Sequence, residues 1–210
     1  MGSPGIKDKV AIVGMGCTAF GEHWDKSADD LLIEAATETF QSAGVERDAV
    51  DAYWLGTMGS GASGMALSEP LKIQYKPVTH VENFCATGSE ALRNACYAVA
   101  SGAYDLVMAI GVEKLKDTGY GGLPSFTGSD SGSLTWQWFP NMTAPGAFAR
   151  LAGAYAAKYK IADQDLKRAM AHVSAKSHAN GALNPKAHLR KAVSEDQIMA
   201  APIIADPLGF

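Results

Sequence analysis

The sequence predicts an α/β fold with a mostly parallel sheet, and three observations lead to this prediction. Short apolar runs rich in β-branched residues alternate with segments whose apolar residues recur at helical spacing. The strand candidates are apolar along their length, as strands buried on both faces are. Helix signals separate successive strands, which is the order that gives a parallel sheet with helices on both faces.

Four strands and three helices are predicted in the first part of the chain. The strands are expected over residues 9–15, 52–56, 77–84 and 105–112. The first helix begins after an N-cap at Ser27 and ends at Gly44, where a glycine can adopt the left-handed conformation. The other two helices are expected over residues 67–75 and 86–101.

The pattern changes after residue 115, so we predict two regions. Residues 1–115 form the strand–helix core, and residues 116–210 form an insertion with a loop and two helices. The loop, residues 116–146, is rich in Gly, Ser and Thr, yet it carries the aromatic residues Tyr120, Phe126, Trp136, Trp138 and Phe139. A disordered linker has few aromatics, so we expect an ordered loop that covers a site or meets a neighbour.

Two helices and an extended return follow the loop. The helices are expected over residues 146–159 and 163–179, with Asp163 as the cap of the second. A short helical turn and an extended return are expected over residues 194–208.

Composition excludes several classes of function. The 210 residues are 47% hydrophobic and carry a net charge of −4, without the basic face that a nucleic-acid-binding protein has. The opening residues hold no apolar run long enough for a signal peptide or a membrane span. The three cysteines form no C-x-x-C pair and the five histidines show no ligand spacing, so we predict no metal site and a reduced, cytoplasmic setting.

A glycine pattern after the first strand resembles a dinucleotide-binding motif. Gly14, Gly16 and Ala19 match G-x-G-x-x-A. That chemistry needs a helix to begin at once, whereas residues 20–26 intervene before the Ser27 cap. No acidic residue follows the second strand at the required distance. We therefore expect these glycines to turn the chain.

The helix over residues 86–101 carries small residues on nearly every side. Its only charged positions are Glu90 and Arg93, one turn apart. A surface helix has one apolar stripe and one charged face, so this composition predicts a helix buried between two layers.

Cys85 is the candidate catalytic residue, because it follows a predicted strand and directly precedes a helix. The unpaired N–H groups and the positive end of the helix dipole favour a thiolate at that place. On position alone a structural role is the more frequent one for such a cysteine. Cys17 and Cys96 are interpreted as structural.

The motifs around Cys85 resemble the nucleophile region of thiolases. Residues 83–88 match N-x-C-A-[ST]-G, residues 101–105 match S-G-x-x-D, and residues 111–114 read G-V-E-K, each at the family's spacing. The sequence is most similar to the sterol-carrier-type and archaeal acetyl-CoA acetyltransferase branch. That similarity also includes residues 10–22, 184–187 and 205–208.

The resemblance implies the amino-terminal half of a layered αβαβα protein and an acyl-CoA C-acyltransferase with Cys85 as its nucleophile. Coenzyme A is then a substrate, no cofactor is bound permanently, and the coenzyme-binding residues stay unassigned. The activating histidine, a second cysteine and an oxyanion-hole histidine belong to the second half, beyond Phe210. That half is expected either in a longer chain or in another subunit. Glu113 is expected to bind backbone near the nucleophile corner.

The resemblance also implies partners and leaves alternatives open. Members dimerise through the strand before the nucleophile, here residues 77–84, and often act with a small OB-fold, zinc-ribbon protein. One alternative is a thioester-linked aldolase of the same fold, which does not need the cysteine. Another is a non-catalytic thiolase-like or lipid-binding subunit. By itself the chain is expected to be inactive and poorly soluble.

Overall fold

The computed structural model describes residues 5–118 and 143–209. The chain divides into two compact units. Unit 1 contains Met1–Thr18 and Glu22–Asp117, and unit 2 contains Ala19–Gly21 and Thr118–Phe210. The loop aromatics Tyr120, Phe126, Trp136, Trp138 and Phe139 lie outside the described residues, so the prediction of an ordered cover stays a prediction.

The described residues of unit 1 form three strands and three helices. The strands are β1 (Ala52–Gly56), β2 (Val78–Val81) and β3 (Val107–Gly111), and the helices are α1 (Ala28–Ala43), α2 (Met65–Ser68) and α3 (Thr87–Ala100). Short 3₁₀ turns occupy Arg47–Ala49, Phe84–Ala86 and Leu115–Thr118. The helix expected over residues 67–75 is therefore limited to the single turn of α2, and the strand expected over 77–84 ends at Val81.

The three strands form a parallel sheet in the order β2-β1-β3. Tyr53 of β1 is opposite Val78 of β2 and Met108 of β3, so the strands end at nearly the same level. The predicted parallel α/β architecture is confirmed for this part of the chain.

The sheet is covered by α1 on one face and by α3 on the other. Successive residues of β1 point to opposite faces, so the strand contributes to both clusters. Tyr53 and Leu55, which are 1% and 0% exposed, pack in one cluster with Leu32 and Ala36 of α1. Ala52 and Trp54 pack on the other face in a cluster with Ala91 and Ala95 of α3. All five residues of β1 are buried, which explains why this strand shows no polar alternation.

The caps predicted for α1 are confirmed. The Ser27 hydroxyl accepts the backbone N–H of Asp30, and the Asp30 carboxylate accepts the backbone N–H of Ser27. This reciprocal pair lowers the pKa of Asp30, because the hydrogen bonds from Ser27 favour the ionised carboxyl. At the other end, Gly44 takes the left-handed conformation at φ 67° and ends the helix.

The prediction of a buried strand over residues 9–15 is wrong for this structure. The segment is not part of a sheet, and Ile12, Val13 and Met15 are each more than half exposed. Its backbone bonds to α1 instead: Met15 N–H donates to Ser42 Oγ at 3.2 Å, and Cys17 N–H donates to Glu38 Oε2 at 2.8 Å. A strand needs a neighbouring strand for its ladder, and the described residues supply none at this place.

Gly14 and Gly16 allow this segment to lie in close contact with α1. A Cβ on Gly14 would lie 2.6 Å from Ala43 Cβ, and a Cβ on Gly16 would lie 2.4 Å from the Ala35 carbonyl oxygen. The expectation that they only turn the chain is therefore incomplete, because side chains here would force the segment off the helix.

Helix α3 is covered on one face within the described residues. Thr87, Ala91 and Ala95 are buried towards the sheet, whereas Leu92 and Tyr97 are 45% and 47% exposed. Burial between two layers, as its composition predicts, is thus met on one side. The small residues facing the sheet permit the close approach.

The described residues of unit 2 form helices and a short hairpin. The helices are α4 (Ala144–Tyr159), α5 (Asp163–Leu183) and α6 (Glu195–Met199), and the antiparallel strands are β4 (Ile203–Ala205) and β5 (Leu208–Gly209). Thr143 caps α4 by accepting Gly146 N–H at 3.2 Å. Asp163 is the first residue of α5 and makes no side-chain cap, so its predicted capping role is wrong. Among the helices described here, none has the length and apolarity to cross a bilayer.

Candidate active site

Cys85 lies at the corner where β2 passes into α3. It is the middle residue of the 3₁₀ turn Phe84–Ala86, and α3 begins two residues later at Thr87. Its side chain is exposed. Of the other cysteines, Cys17 is exposed as well, on the segment beside α1, and Cys96 is half-buried within α3.

The corner holds its backbone in a strained conformation. Phe84, the residue before the cysteine, has φ 49°, a left-handed value that a bulky side chain rarely adopts. The Glu82 carboxylate accepts the backbone N–H of Phe84 and so supports this geometry. Strain of this kind persists only where surrounding contacts maintain it, and it is concentrated at functional sites.

Asn83 ties the corner to the first turns of α3. Its backbone N–H donates to Thr87 Oγ1 at 2.8 Å, and its carbonyl oxygen accepts Ala86 N–H at 3.0 Å. The residue two positions before Cys85 is thus bonded directly to the residue two positions after it, and this bond fixes the turn that carries the sulfur.

Glu90 is held as a carboxylate. The Arg93 guanidinium donates to it from one turn away, and the Asn94 side chain donates to it at 3.4 Å. These donors lower the pKa of Glu90 below its ordinary value. Glu90 therefore remains charged at neutral pH.

The N-terminus of α3 has no side-chain cap. Ala86 occupies the N-cap position, and its methyl side chain cannot accept a hydrogen bond from the first turn. Most helices satisfy these N–H groups with Ser, Thr, Asp or Asn. An uncapped N-terminus beside an exposed sulfur leaves its positive field for a thiolate or for an oxyanion of a bound substrate.

Paired glycines bring α3 close to the sheet at this end. Gly56 and Gly111 are opposite each other at the carboxyl ends of β1 and β3. A Cβ on Gly56 would lie 3.0 Å from Thr87 Cγ2, and one on Gly111 would lie 2.8 Å from the Gly56 carbonyl oxygen. A larger residue at Gly56 would push Thr87 and the adjoining corner away, and one at Gly111 would push β1 away at Gly56.

Glu113 binds the loop that follows β1. Its carboxylate accepts the backbone N–H groups of Met58 and Gly59, at 2.8 and 3.1 Å respectively. The expectation that it binds backbone is confirmed. On the same loop the Thr57 carbonyl oxygen lies 2.8 Å from His80 Nε2, and because a carbonyl only accepts, this ring nitrogen carries the proton.

Other parts of the described chain show less chemistry. Within residues 5–118 and 143–209, no three His, Cys, Asp or Glu side chains are grouped as metal ligands would be. Unit 2 contains an open cavity of about 320 Å³ lined by residues that include Ala156, Lys160, Asp163 and Asp206. No cysteine or histidine lines it.

Sequence reasoning assigned Cys85 and Glu113 but gave no role to the residues that hold the corner. Asn83 and Thr87 are part of the N-x-C-A-T-G motif, so the motif carried a signal for them. Glu90 was interpreted as a partner of Arg93 alone. His80 had no sequence signal, since its contact with Thr57 depends on the pairing of β1 with β2.

Comparisons with known proteins agree with this geometry. The family described as "Thiolase, N-terminal domain" matches residues 10–209. Acetyl-CoA acetyltransferase of Methanothermobacter thermautotrophicus is 34% identical over 205 residues, which are 95% of this chain and 52% of that protein. Sterol carrier protein 2 of Bos taurus is 26% identical, over 96% of this chain and 38% of that protein.

A solved structure shows the same fold. The Ltp2-ChsH2(DUF35) aldolase superposes with a TM-score of 0.77 at 22% identity, covering 95% of this chain and 50% of that one. The chain spans about half the length of the acetyltransferase it matches.

The fold and the corner define a parallel α/β protein with an exposed cysteine at the uncapped start of a helix packed on its sheet. The match over nearly the whole chain then shows that it belongs to the thiolase family, through the amino-terminal domain.

Proposed function

We propose that this chain supplies the nucleophile half of an acyl-CoA C-acyltransferase of the thiolase type. The observation that carries the proposal is the exposed Cys85 sulfur on a braced turn at the uncapped N-terminus of α3. The acetyl-CoA acetyltransferase relatives support the choice of acyl chemistry.

The chemistry proceeds in two acyl transfers. The Cys85 thiolate attacks the carbonyl at position 3 of a 3-oxoacyl-CoA, the bond between carbons 2 and 3 breaks, and the carbanion takes a proton to leave as acetyl-CoA. The acyl group remains on Cys85 as a thioester. The thiol of a second coenzyme A then loses its proton, attacks this thioester and regenerates the Cys85 thiolate. In the reverse direction the same intermediate serves condensation.

The residues of this chain have defined tasks in these steps. The N–H groups of the first turn of α3 favour the Cys85 thiolate and the negative oxygen of each tetrahedral intermediate. Asn83 and Thr87 keep the turn in place. The histidine and the second cysteine that the family uses for proton transfer are proposed to come from the second half of the enzyme.

Several further features belong to the proposal. Coenzyme A is a substrate, and no cofactor is bound permanently. A homodimer would form along β2, which is an edge strand of the described sheet. The neighbouring structure is that of an Ltp2-ChsH2(DUF35) aldolase, which supports a partner subunit here, and we propose that this partner is a small OB-fold, zinc-ribbon protein. We also propose a cytoplasmic setting, and that residues 116–210 are the insertion of the first half.

The test is intact-protein and peptide mass spectrometry on the protein expressed from its complete reading frame, with any subunit that copurifies. After incubation with acetyl-CoA, an acetyl group should appear on the peptide containing Cys85. Cys85→Ala should lose both the adduct and the turnover. Cys17→Ala is the matched control, because Cys17 is also exposed but lies outside the corner, and it should keep both.

Each other outcome contradicts the proposal in a distinct way. Full turnover of a hydroxylated CoA ester by Cys85→Ala, without any adduct on the wild type, would favour the aldolase alternative. Absence of adduct and of turnover with every copurifying subunit present would favour a non-catalytic subunit.

A further inference from the structure

The carboxylate of Glu113 is surrounded by hydrogen-bond donors from one loop. Residues 57–60, here called the β1 loop, supply the N–H of Met58 at 2.8 Å, the N–H of Gly59 at 3.1 Å and the hydroxyl of Ser60 at 2.8 Å. The Thr57 hydroxyl lies at 3.5 Å. Successive N–H groups directed at one point form an anion-binding nest, and here a side chain of the same unit occupies it.

The β1 loop is fixed from two further directions. His80 Nε2 donates to the Thr57 carbonyl oxygen, which ties the loop to β2. Ser60 Oγ, which donates to Glu113, also accepts the backbone N–H of Lys114 at 2.8 Å. Glu113 is the main acceptor for this loop. Its two carboxylate oxygens accept from Met58 N–H, Gly59 N–H and the Ser60 hydroxyl, and no other acceptor is described for these three donors.

The β1 loop adjoins the corner that carries Cys85. Gly56 immediately precedes the loop, and its Cα is so close to α3 that an added Cβ would lie 3.0 Å from Thr87 Cγ2. Thr87 in turn accepts the backbone N–H of Asn83 through Oγ1. A shift of the β1 loop is therefore passed through Gly56 and Thr87 to Asn83, two residues before the sulfur.

A carboxylate is the group that fits this nest. All its partners donate, and a carboxylate accepts at both oxygens, whereas an amide would turn N–H groups towards the donors. Hydrogen bonds to a charged acceptor are also about twice as strong as neutral ones. An aspartate would be one methylene too short to reach the same donors.

We propose that Glu113 is a positioning residue for the reaction: its carboxylate fixes the β1 loop and, through Gly56, Thr87 and Asn83, the reactive placement of Cys85. This proposal rests on Cys85 as the nucleophile of the proposed function. It goes further by proposing that the Glu113 carboxylate, which does not touch the substrate, affects the rate of the chemical step at Cys85.

The experiment measures Cys85 itself, so that it does not depend on which reaction the enzyme catalyses. Wild type, Glu113→Ala, Glu113→Gln and Glu113→Asp are prepared from the complete reading frame. The rate of alkylation by iodoacetamide is followed separately for the Cys85 and Cys17 peptides by mass spectrometry, from about pH 6 to about pH 9. Cys17 reports reagent access and general unfolding within the same molecule. Glu46→Gln, at an exposed glutamate, is the control for loss of one charge.

In Glu113→Ala we expect alkylation of Cys85 to slow about tenfold, because a displaced sulfur moves away from the N–H groups at the start of α3, on which its reactivity depends. The Cys17 rate should stay unchanged. Sodium acetate should restore part of the Cys85 rate by filling the emptied nest, whereas sodium chloride of equal ionic strength should not. In Glu113→Gln the rate of Cys85 alkylation should lie between those of wild type and Glu113→Ala. In Glu113→Asp it should be as low as in Glu113→Ala.

Turnover gives an independent readout. With an acyl-CoA substrate, kcat should fall in Glu113→Ala while KM is unchanged, since substrate contacts are intact. A Cys85 rate equal to that of wild type in folded Glu113→Ala would overturn the proposal. If Glu113→Ala does not fold, the isosteric Glu113→Gln decides, and an unchanged Cys85 rate there would overturn it as well. If Cys85 is never acylated but its alkylation depends on Glu113, the proposed function fails and the positioning link does not.

Discussion

Replacing Tyr53 by phenylalanine should change the stability of unit 1 in opposite directions at neutral and at alkaline pH. Tyr53 is 1% exposed in the centre of β1, and its hydroxyl donates to the Arg47 carbonyl oxygen at 3.0 Å. That carbonyl also accepts the Val50 N–H at 3.1 Å, so it keeps a partner in the variant. Loss of one neutral hydrogen bond without an orphaned acceptor costs about 1 kcal/mol.

The alkaline effect has the opposite sign. Burial raises the pKa of Tyr53 from 10.0 to about 12, because the phenolate loses its hydration. Because the pKa is higher in the folded state, the free energy of unfolding keeps its full value below pH 10, the pKa of tyrosine in the unfolded chain. It then falls as the pH rises towards 12, the pKa in the folded state. Two pH units at about 1.36 kcal/mol each correspond to roughly 2 to 3 kcal/mol. Phenylalanine does not ionise, so the variant does not lose this part of the free energy of unfolding at alkaline pH.

The two effects should therefore cross. Wild type should be more stable than Tyr53→Phe by about 1 kcal/mol up to pH 9, the two should be equal near pH 11, and the variant should be the more stable one above it. Urea unfolding followed by far-UV circular dichroism at a series of pH values measures the difference. Tyr75→Phe, with a fully exposed ring, is the control and should follow wild type throughout. A difference between wild type and Tyr53→Phe that stays constant from neutral pH to about pH 11.5 would refute the reasoning.

Two further predictions concern packing and capping. Gly64→Ala would place a Cβ 2.4 Å from the Val78 carbonyl oxygen of β2, so it should lower the free energy of unfolding by about 3 kcal/mol in urea titrations. Gly153→Ala, in α4 with no atom within 4 Å of the added Cβ, is the comparison and should raise stability by up to about 1 kcal/mol; equal effects of the two would contradict the close contact. Ser27→Ala removes the capping box of α1 and should cost about 1 kcal/mol, with faster hydrogen exchange confined to the first turn of α1, and uniform exchange across unit 1 would argue against a local cap.

The elements predicted most successfully are those whose cause is local. Ser27 and Gly44 bound α1 because their preferences act within one turn of the chain. The apolar runs of β1 and β3 identify buried parallel strands, since burial on both faces leaves no polar alternation. The cysteine at a strand-to-helix corner and its N-x-C-A-T-G motif were also readable from the sequence, and they were sufficient to indicate the family.

Contacts between distant residues required the tertiary structure. The apolar run over residues 9–15 has the composition of a strand, but its backbone donates to α1, because pairing depends on a neighbour that composition does not describe. Likewise, Glu113 and Met58 are far apart in the chain, and only the alignment of β1 with β3 brings the carboxylate to the loop. The sequence by itself indicated Cys85 as the candidate nucleophile and located the long helices α1 and α3. The packing of β1, β3 and α3 decided which side chains hold that residue in place, since such contacts arise from the pairing of strands and not from any local preference.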